Sequence, residues 1–140
     1  MALDGGGGGG GLVGVSNSFT GPTEALEIAG DFCYSYSGVV PVTGSLTTMN
    51  KFTTGNYLSD LGIEIHGVFA QIDANQIQFE VKMNGAQIIN TTWISSLDAT
   101  LFDFPSKIIV PAYTEVEVSL SQASGSDRNM ETTMTGRIYR

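Results

Sequence analysis

Few residues of this chain could perform covalent chemistry. His66 is the only histidine among 140 residues, and next to Glu64 it would need a serine and a further carboxylate to converge on it before it could act as a general base. Paired carboxylates can hydrolyse glycosides, and three pairs occur, Asp60 with Glu64, Asp98 with Asp103, and Glu115 with Glu117. Nothing in the sequence favours one pair over another. We therefore predict a protein without catalytic residues that is not an enzyme.

Cofactor and metal motifs are equally sparse. Cys33 is the single cysteine, so neither an intrachain disulfide nor a cysteine zinc cluster can form, and we expect it in a strand as a small buried hydrophobe. The glycines at 5–11 lack the preceding strand and the following Lys-Ser/Thr of a phosphate-binding loop. Calcium is the hardest ligand to exclude, because loop carboxylates occur as Asp98 with Asp103 and as Asp127 with Glu131, without EF-hand spacing. We predict no cofactor and no metal.

Composition limits the partners. Charged residues make up 14% of the chain and the net charge is −8, while the six basic residues are scattered, so direct nucleic-acid binding is not expected. The start Met1-Ala2-Leu3-Asp4 has no signal-peptide pattern, and no apolar run approaches the ~20 residues of a membrane span. We expect a soluble protein made in a cytoplasm, with no membrane partner.

Residues 1–20 are predicted to form a glycine-rich, flexible N-terminal arm. Seven consecutive glycines bury no side chain and lose much entropy on ordering, so the segment cannot fold alone. These glycines span roughly 15 Å as a random coil and about 25 Å when extended, which is enough to reach a neighbouring subunit. The small apolar cluster Leu12, Val13 and Val15 is our candidate for an assembly contact, with a disordered tail as the alternative.

From residue 21 to residue 140 the pattern changes to a period of two, which predicts a single β-domain. About eight strand-like runs occur between turn residues, and Asn84-Gly85 between two of them is the strongest hairpin signal in the chain. Residues 98–105 are interpreted as a loop over one end of the core. No run of ten residues shows a helical period. The sequence thus predicts an all-β, antiparallel two-sheet sandwich, either jelly-roll-like or immunoglobulin-like. A single cysteine and the late position of Trp93 argue against the immunoglobulin fold.

The aromatic residues allow two interpretations. Tyr34, Tyr36, Tyr57, Trp93 and Tyr113 could form a sugar-stacking platform. Phe32, Tyr34 and Tyr36 alternate along one strand, however, so we predict that they pack into the core, with the strand bent at Gly30. Tyr113 follows Pro111 in a connector and is predicted to be exposed, which makes it a second candidate for an assembly contact.

The segment 77–139 resembles the second half of small single jelly-roll virion proteins, notably tailed-phage head-decoration (cement) and minor capsid proteins. The resemblance lies in the strand that ends at Met83-Asn84-Gly85, in its return strand, in the run from Ile108 through Pro111-Ala-Tyr-Thr114 to Val118, and in the closing Thr133–Tyr139 run. It covers about half of the chain. Carbohydrate-binding sandwiches and tail-fibre domains use similar patterns.

The resemblance implies an accessory capsid protein that binds the major capsid protein and copies of itself as a homotrimer. The arm lacks the basic residues of capsid arms that meet the genome, which favours a place on the outer shell of the virion, after assembly in the host cytoplasm. A lectin-like carbohydrate-binding module and a tail-fibre receptor-binding module remain the alternatives.

Overall fold

The computed structural model describes residues 25–67, 76–94, 106–123 and 126–140. These residues form ten β-strands: β1 (Glu27–Ala29), β2 (Phe32–Tyr36), β3 (Val40–Val42), β4 (Thr47–Thr53), β5 (Leu58–Gly67), β6 (Gln76–Met83), β7 (Ala86–Ile94), β8 (Ser106–Val110), β9 (Glu115–Gln122) and β10 (Arg128–Tyr139). The described ranges contain no helix, so none that could span a membrane. The predicted arm, including Leu12, Val13 and Val15, and the predicted loop at 98–105 lie outside the described residues.

The strands form two antiparallel sheets with nested pairing. Sheet 1 has the order β1-β2-β10-β5-β8, with β3 also paired to β10, and sheet 2 has the order β4-β9-β6-β7. Along the sequence, the pairing runs from the outermost strands inward: β2 and β3 pair with β10, β4 with β9, β5 with β8, and β6 with β7. This is one long hairpin rolled up on itself, the connectivity of a jelly roll. The prediction of an all-β, two-sheet antiparallel sandwich is confirmed.

Both sheets supply one side of each strand to a shared core. In sheet 1, Leu61, Ile63 and Ile65 of β5 are buried while Glu64 and His66 face solvent, as the alternation predicts. In sheet 2, β6 buries Ile77, Phe79 and Val81. The buried side chains of the two sheets belong to a single hydrophobic cluster, so the sandwich has one core.

Ten strands occur where about eight were predicted, because the first run is divided into β1 and β2 and because β3 is an additional strand. The segment does not bend at Gly30 but reverses there: Gly30 has φ +66°, Asp31 follows, and β1 pairs with β2 from Ala29↔Phe32 onward. A positive φ at the first central position matches a type II′ turn, which glycine adopts without steric cost. The short strand β3 was not predicted. It pairs with β10 beyond the end of β2, and Pro41 is tolerated in it.

The prediction that Phe32, Tyr34 and Tyr36 face the core is wrong. Phe32 is exposed and both tyrosines are half-buried, whereas Cys33 and Ser35 between them are buried. Successive side chains of a strand point to opposite faces, so burial of Cys33, which the sequence did predict, excludes burial of Tyr34. Which side of β2 faces the core depends on the residues across from it. The small residues Cys33 and Ser35 leave room for a polar residue of β4.

That residue is Asn50, the centre of a buried polar network between the sheets. Its Nδ2 donates to Ser35 Oγ at 3.0 Å, and its Oδ1 accepts a hydrogen bond from Thr132 Oγ1. The Thr132 amide donates to Ser37 Oγ at 2.9 Å. All four residues are at most 1% exposed. The network joins β4 to β2 and β10, and it satisfies groups whose burial would otherwise be costly.

The predicted hairpin at Asn84-Gly85 is confirmed. Asn84 and Gly85 have φ +50° and +80°, the signs of a type I′ turn, and Met83 pairs with Ala86 directly across it. Asn84 also joins the turn to β9, because its amide donates to Glu115 O at 2.8 Å and its Oδ1 accepts from the Glu115 amide at 2.9 Å. The β8–β9 connector therefore lies beside this hairpin at the same end of the sandwich.

Candidate functional site

Five large apolar side chains are exposed at that end of the molecule. They are Phe32 (59% exposed), Leu58 (41%), Ile109 (55%), Tyr113 (67%) and Tyr139 (52%), and we call them the apolar end patch. Tyr113 lies in the β8–β9 connector, and the other four lie on the adjoining outer face of sheet 1. At about 200 Å² for a large side chain, these five expose roughly 500 Å². The largest apolar patch of a typical soluble monomer has about this size and is often functional.

Strand register brings the sheet members of the patch together. Tyr139 of β10 lies directly opposite Leu58 of β5, while Phe32 of β2 is opposite Arg137 and Ile109 of β8 is opposite Asp60. Because side chains on one face of a sheet also meet diagonal neighbours, the four apolar residues follow a line across four strands. These are paired strands of a packed sheet, so the patch is held rigidly.

Charged residues lie between and beside the apolar residues of the patch, and each has a partner of opposite charge. The guanidinium of Arg137 lies 5.0 Å from the centre of the Phe32 ring, a cation–π contact, and its Nη2 is 3.9 Å from Asp31 Oδ2. Lys107 Nζ lies 3.2 Å from Asp60 Oδ2. Exposed pairs of this kind contribute little to stability, but they neutralise the charges of the patch.

A glycine sets the close approach of the two central strands under the patch. A Cβ atom placed on Gly136 would lie 1.7 Å from the carbonyl oxygen of Asp60. No side chain fits there, so β10 reaches β5 only because position 136 is glycine. This contact lies one residue before Arg137 and three before Tyr139.

Tyr113 is presented by a strained turn, and its predicted exposure is confirmed. Its φ is +53°, a conformation that is uncommon for a bulky residue. Several bonds hold it: the Tyr113 amide donates to Gly55 O at 3.0 Å, Thr54 Oγ1 donates to Pro111 O at 2.8 Å, and the Thr114 amide donates to Thr54 Oγ1 at 2.9 Å. Backbone strain held by surrounding bonds is a feature of functional sites, and here it directs an aromatic ring into solvent.

Tyr34 and Tyr36 form a second aromatic feature on the outer face of sheet 1. Their ring centres are 5.0 Å apart at an interplanar angle of 33°. Thr135 and Thr133 of β10 lie opposite them. Two half-exposed rings beside hydroxyl groups make a surface on which a flat, polar ligand could stack.

The candidate catalytic side chains are dispersed over the outer faces of both sheets. His66 Nε2 lies 3.5 Å from Glu64 Oε1 and 3.5 Å from Thr133 Oγ1, all at exposed positions. Asp60 and Glu64 are four residues apart on one strand, about 13 Å at the usual rise, which exceeds the carboxylate separation of either glycosidase mechanism. Glu117 accepts a hydrogen bond from Thr48 Oγ1 at 2.8 Å and lies opposite Lys51 on the outer face of sheet 2.

Cys33 and the metal candidates complete the set. The Cys33 thiol is buried, and burial, with a smaller effect of the Asp60 charge, raises its pKa above the ordinary value, so the reactive thiolate is disfavoured. Asp98 and Asp103 are not among the residues that the structure describes. Over the described ranges, no three His, Cys, Asp or Glu residues are grouped so as to hold a metal ion, and this includes Asp127 and Glu131.

Sheet 2 presents a different outer face, which is polar and carries both charged and uncharged side chains, the charged ones being Lys51, Glu80, Lys82, Glu115 and Glu117. A shallow groove of about 240 Å³ lies on it, lined by Gly44, Gln78, Thr92, Ser121, Gln122 and Ala123. Among the charged residues of this face, Glu80 is buried. It is 7% exposed, and it is paired with Lys82 Nζ at 3.7 Å and hydrogen-bonded by Gln87 Nε2.

Of the predicted assembly contacts, the structure places only Tyr113, since the arm residues are outside the description. The other four residues of the apolar end patch, Phe32, Leu58, Ile109 and Tyr139, were not among the predicted contacts. Ile109 could have been found, because in Ile108-Ile109-Val110 one of the three must face away from the core. Comparison of the chain with protein-family models and with curated proteins finds no match, so its function has to be argued from this geometry.

Proposed function

We propose that this chain is a structural virion protein, an accessory subunit that attaches to the outside of a viral shell and stabilises it. Its partners are the major capsid protein and neighbouring copies of itself, in a homotrimer. The observation that carries the proposal is the apolar end patch: five exposed apolar side chains at one end of a rigid sandwich, including a tyrosine held in a strained turn.

The patch has the properties of a protein-binding surface. Its roughly 500 Å² of apolar area is a large part of the ~800 Å² that each partner buries in a standard interface. Aromatic residues at the centre with charged residues at the rim are typical of such interfaces. Lys107 lies at such a rim, whereas Arg137 and Asp60 lie opposite each other between Phe32 and Ile109.

The assignment to a virion has separate support. Residues 77–139 resemble small jelly-roll virion proteins, and the nested strand order is one that capsid proteins use. Fold alone does not imply function, so the surface has to carry the argument. The scattered basic residues and the net charge of −8 favour a position away from the genome, and a capsid subunit assembled in the host cytoplasm has no need of a catalytic site, cofactor or metal.

The proposal is tested by re-binding to shells that lack the chain. Depleted particles are incubated with the full-length protein, or with Tyr139→Ser or Ile109→Ser, and bound protein is quantified after sedimentation. We expect each substitution to weaken binding by about tenfold or more, as loss of an interface anchor does. Leu46→Ser is the matched control: Leu46 is 43% exposed but precedes β4, at the end away from the patch, and should bind within about twofold. Equal binding by all variants would refute this role.

One observation favours a second candidate, a carbohydrate-binding lectin-like or receptor-binding module. Tyr34 and Tyr36 face outward as a tilted pair beside Thr133 and Thr135, a surface suited to stacking on a sugar ring. Glycan-array binding that is lost in Tyr34→Ser and Tyr36→Ser, together with unchanged particle binding, would favour this module over the capsid role.

A further inference from the structure

Sheet edges attract other strands, and the strands with a free side are not equally protected within the described ranges: besides β3, which has three residues and carries Pro41, these are β1, β8, β4 and β7. β1 has three residues, β8 has five and carries Lys107, and β4 carries Lys51 and a register shift between Thr48 and Asn50. Short length, lysine and bulges are the usual ways in which proteins block an edge. β7 is nine residues long (Ala86–Ile94) without a charged residue or a proline, and no other strand within the described ranges pairs with its free side.

The inner side of β7 is also incompletely covered. Ile89 and Thr91 lie opposite Val81 and Phe79, which are fully buried, yet both are only half-buried. On the outer side, Asn90 and Thr92 are exposed. A fifth strand added here would need apolar residues on one face, to cover Ile89 and Thr91, and small or polar residues on the other.

Residues 12–20 of the chain approach this pattern. In an extended strand, one face would carry Val13, Val15, Asn17 and Phe19 and the other Leu12, Gly14, Ser16, Ser18 and Thr20, so the apolar face contains one polar residue and the small, polar face one leucine. No charged residue occurs from 5 to 23, so a chain with net charge −8 can bring this segment to β7 without bringing like charges together. We propose that residues 12–20 of a neighbouring copy bind along β7 as a fifth strand of sheet 2. The proposal rests on the assembly role above and names the partner surface for the arm.

Distance indicates a neighbour and not the same chain. The hydrogen bond from Asn50 to Ser35 places β4 across from β2, so β7 is three strand spacings beyond β4, on the side away from β1. With ~4.8 Å between strands and ~10 Å between sheets, a fifth strand beyond β7 would lie five strand spacings and one sheet spacing, about 26 Å, from the start of β1. Residues 21–26 connect residue 20 to Glu27 and reach at most ~25 Å when fully extended, and Leu26 already packs against the core. The linker would have to be fully straight to bring residues 12–20 to their own β7, so a neighbouring copy is the better-placed partner.

An arm that binds a different surface from the one it leaves makes a head-to-tail contact. Such contacts close into rings when the rotation between copies allows it, and three copies would then exchange three arms. Backbone hydrogen bonds along β7 would supply affinity, and the period-two side chains would set the register.

Cysteine cross-linking in the full-length chain tests the contact. Ser16→Cys protein is equilibrated with Asn90→Cys protein and treated with a short bismaleimide, and the products are identified by mass. We expect an inter-chain Ser16–Asn90 product at several-fold higher yield than in a control with Thr53→Cys, which lies on the opposite edge strand of the same sheet and is also exposed. The buried Cys33 should not react.

Equal yields at the two edges would overturn the proposal. So would a dominant Asn90–Asn90 product, which would show β7 of two copies pairing directly, or an intra-chain product in the double variant at high dilution. Each of these results identifies another occupant of the β7 edge.

A pair of arm variants gives a second readout. Val15→Asp puts a charge on the face that should meet Ile89, and Ser16→Asp puts it on the opposite face. We expect Val15→Asp to lower the oligomer mass in light scattering and to speed hydrogen exchange of the β7 amides by about tenfold or more, and Ser16→Asp to do neither. If both variants or neither dissociate the oligomer, face-specific pairing is refuted. An oligomer that cross-links at β7 but does not bind particles would refute the capsid role and leave strand exchange intact.

Discussion

Asn50 should be among the most sensitive polar positions of the fold. Asn50→Ala removes the hydrogen bonds to Ser35 Oγ and Thr132 Oγ1 and leaves both hydroxyls buried without this partner. Each buried hydroxyl left unsatisfied costs ~1–3 kcal/mol, a figure that includes its lost hydrogen bond, so the two together predict a loss of unfolding free energy of about 2–6 kcal/mol. Urea denaturation followed by circular dichroism, at one fixed subunit concentration, measures it.

Two further variants sharpen this prediction. Asn129→Ala, at an exposed position of β10, is the control and should change stability by less than ~0.5 kcal/mol. Replacing the whole network, with Ser35→Ala, Asn50→Leu and Thr132→Val together, should be far less costly than Asn50→Ala alone, because no polar group is then left without its partner. A cost below ~1 kcal/mol for Asn50→Ala would refute the reasoning, since those hydroxyls must then find other partners.

Asn50→Asp adds a pH dependence of known sign. Burial disfavours the charged carboxylate, so the pKa of the new aspartate in the folded state is raised above its unfolded value. The folded chain then binds the proton more tightly than the unfolded chain does. The loss of unfolding free energy caused by Asn50→Asp therefore grows as pH rises from the unfolded pKa through the folded pKa. The stability difference from the natural protein should therefore shrink as pH falls from 7 towards 4. A difference independent of pH would show that the carboxylate reaches solvent.

Four other predictions follow from single features. Tyr113→Gly relieves the positive φ, so it should leave stability unchanged or raise it by up to ~1 kcal/mol while weakening particle binding; reduced stability would show that the ring supports the turn. Gly136→Ala should cost more than ~4 kcal/mol or prevent folding, because its Cβ would overlap Asp60 O, whereas Gly62→Ala, with 3.7 Å to its nearest atom, should cost under ~1.5 kcal/mol in the same urea titration. Deleting residues 1–15 should reduce incorporation into particles but leave the melting temperature of the dissociated subunit nearly unchanged, because the described residues of the hydrophobic core begin at Leu26. Raising salt to about 1 M should leave subunit association largely intact, as light scattering would show, because apolar contacts are not screened; dissociation that tracks ionic strength would indicate a charged interface instead.

Patterns within single strands were the predictable part of the fold. In β5 and β6 the period of two identified the buried residues correctly, because each strand carries strongly apolar residues on one side only. Asn84-Gly85 specified its turn because few residue pairs accept two positive φ values. The same locality explains why Tyr113 was correctly predicted to be exposed after Pro111.

The phase of β2 was not predictable from apolarity. Both of its sides carry candidates for burial, aromatic rings on one and Cys33 with Ser35 on the other, and the aromatic side has more apolar area. The choice was made by Asn50 of β4 and Thr132 of β10, which are 82 positions apart in the chain and meet only in the folded core. Because β2 buries Cys33 and Ser35, Phe32 lies in the apolar end patch and Tyr34 and Tyr36 lie on the surface. The candidate site therefore depends on the same long-range contacts.

The amino-acid sequence by itself determined the all-β class, the positions of most strands and turns, the burial of Cys33 and the absence of any concentration of basic residues. These properties depend on neighbours two to four positions apart, for which alternation and turn geometry are sufficient. Only the tertiary structure decided the nested strand order, the outward face of β2, the approach of β10 to β5 at Gly136, and the free edge of β7. Each depends on contacts between distant strands, and a local pattern cannot choose among the partners that it would fit equally well.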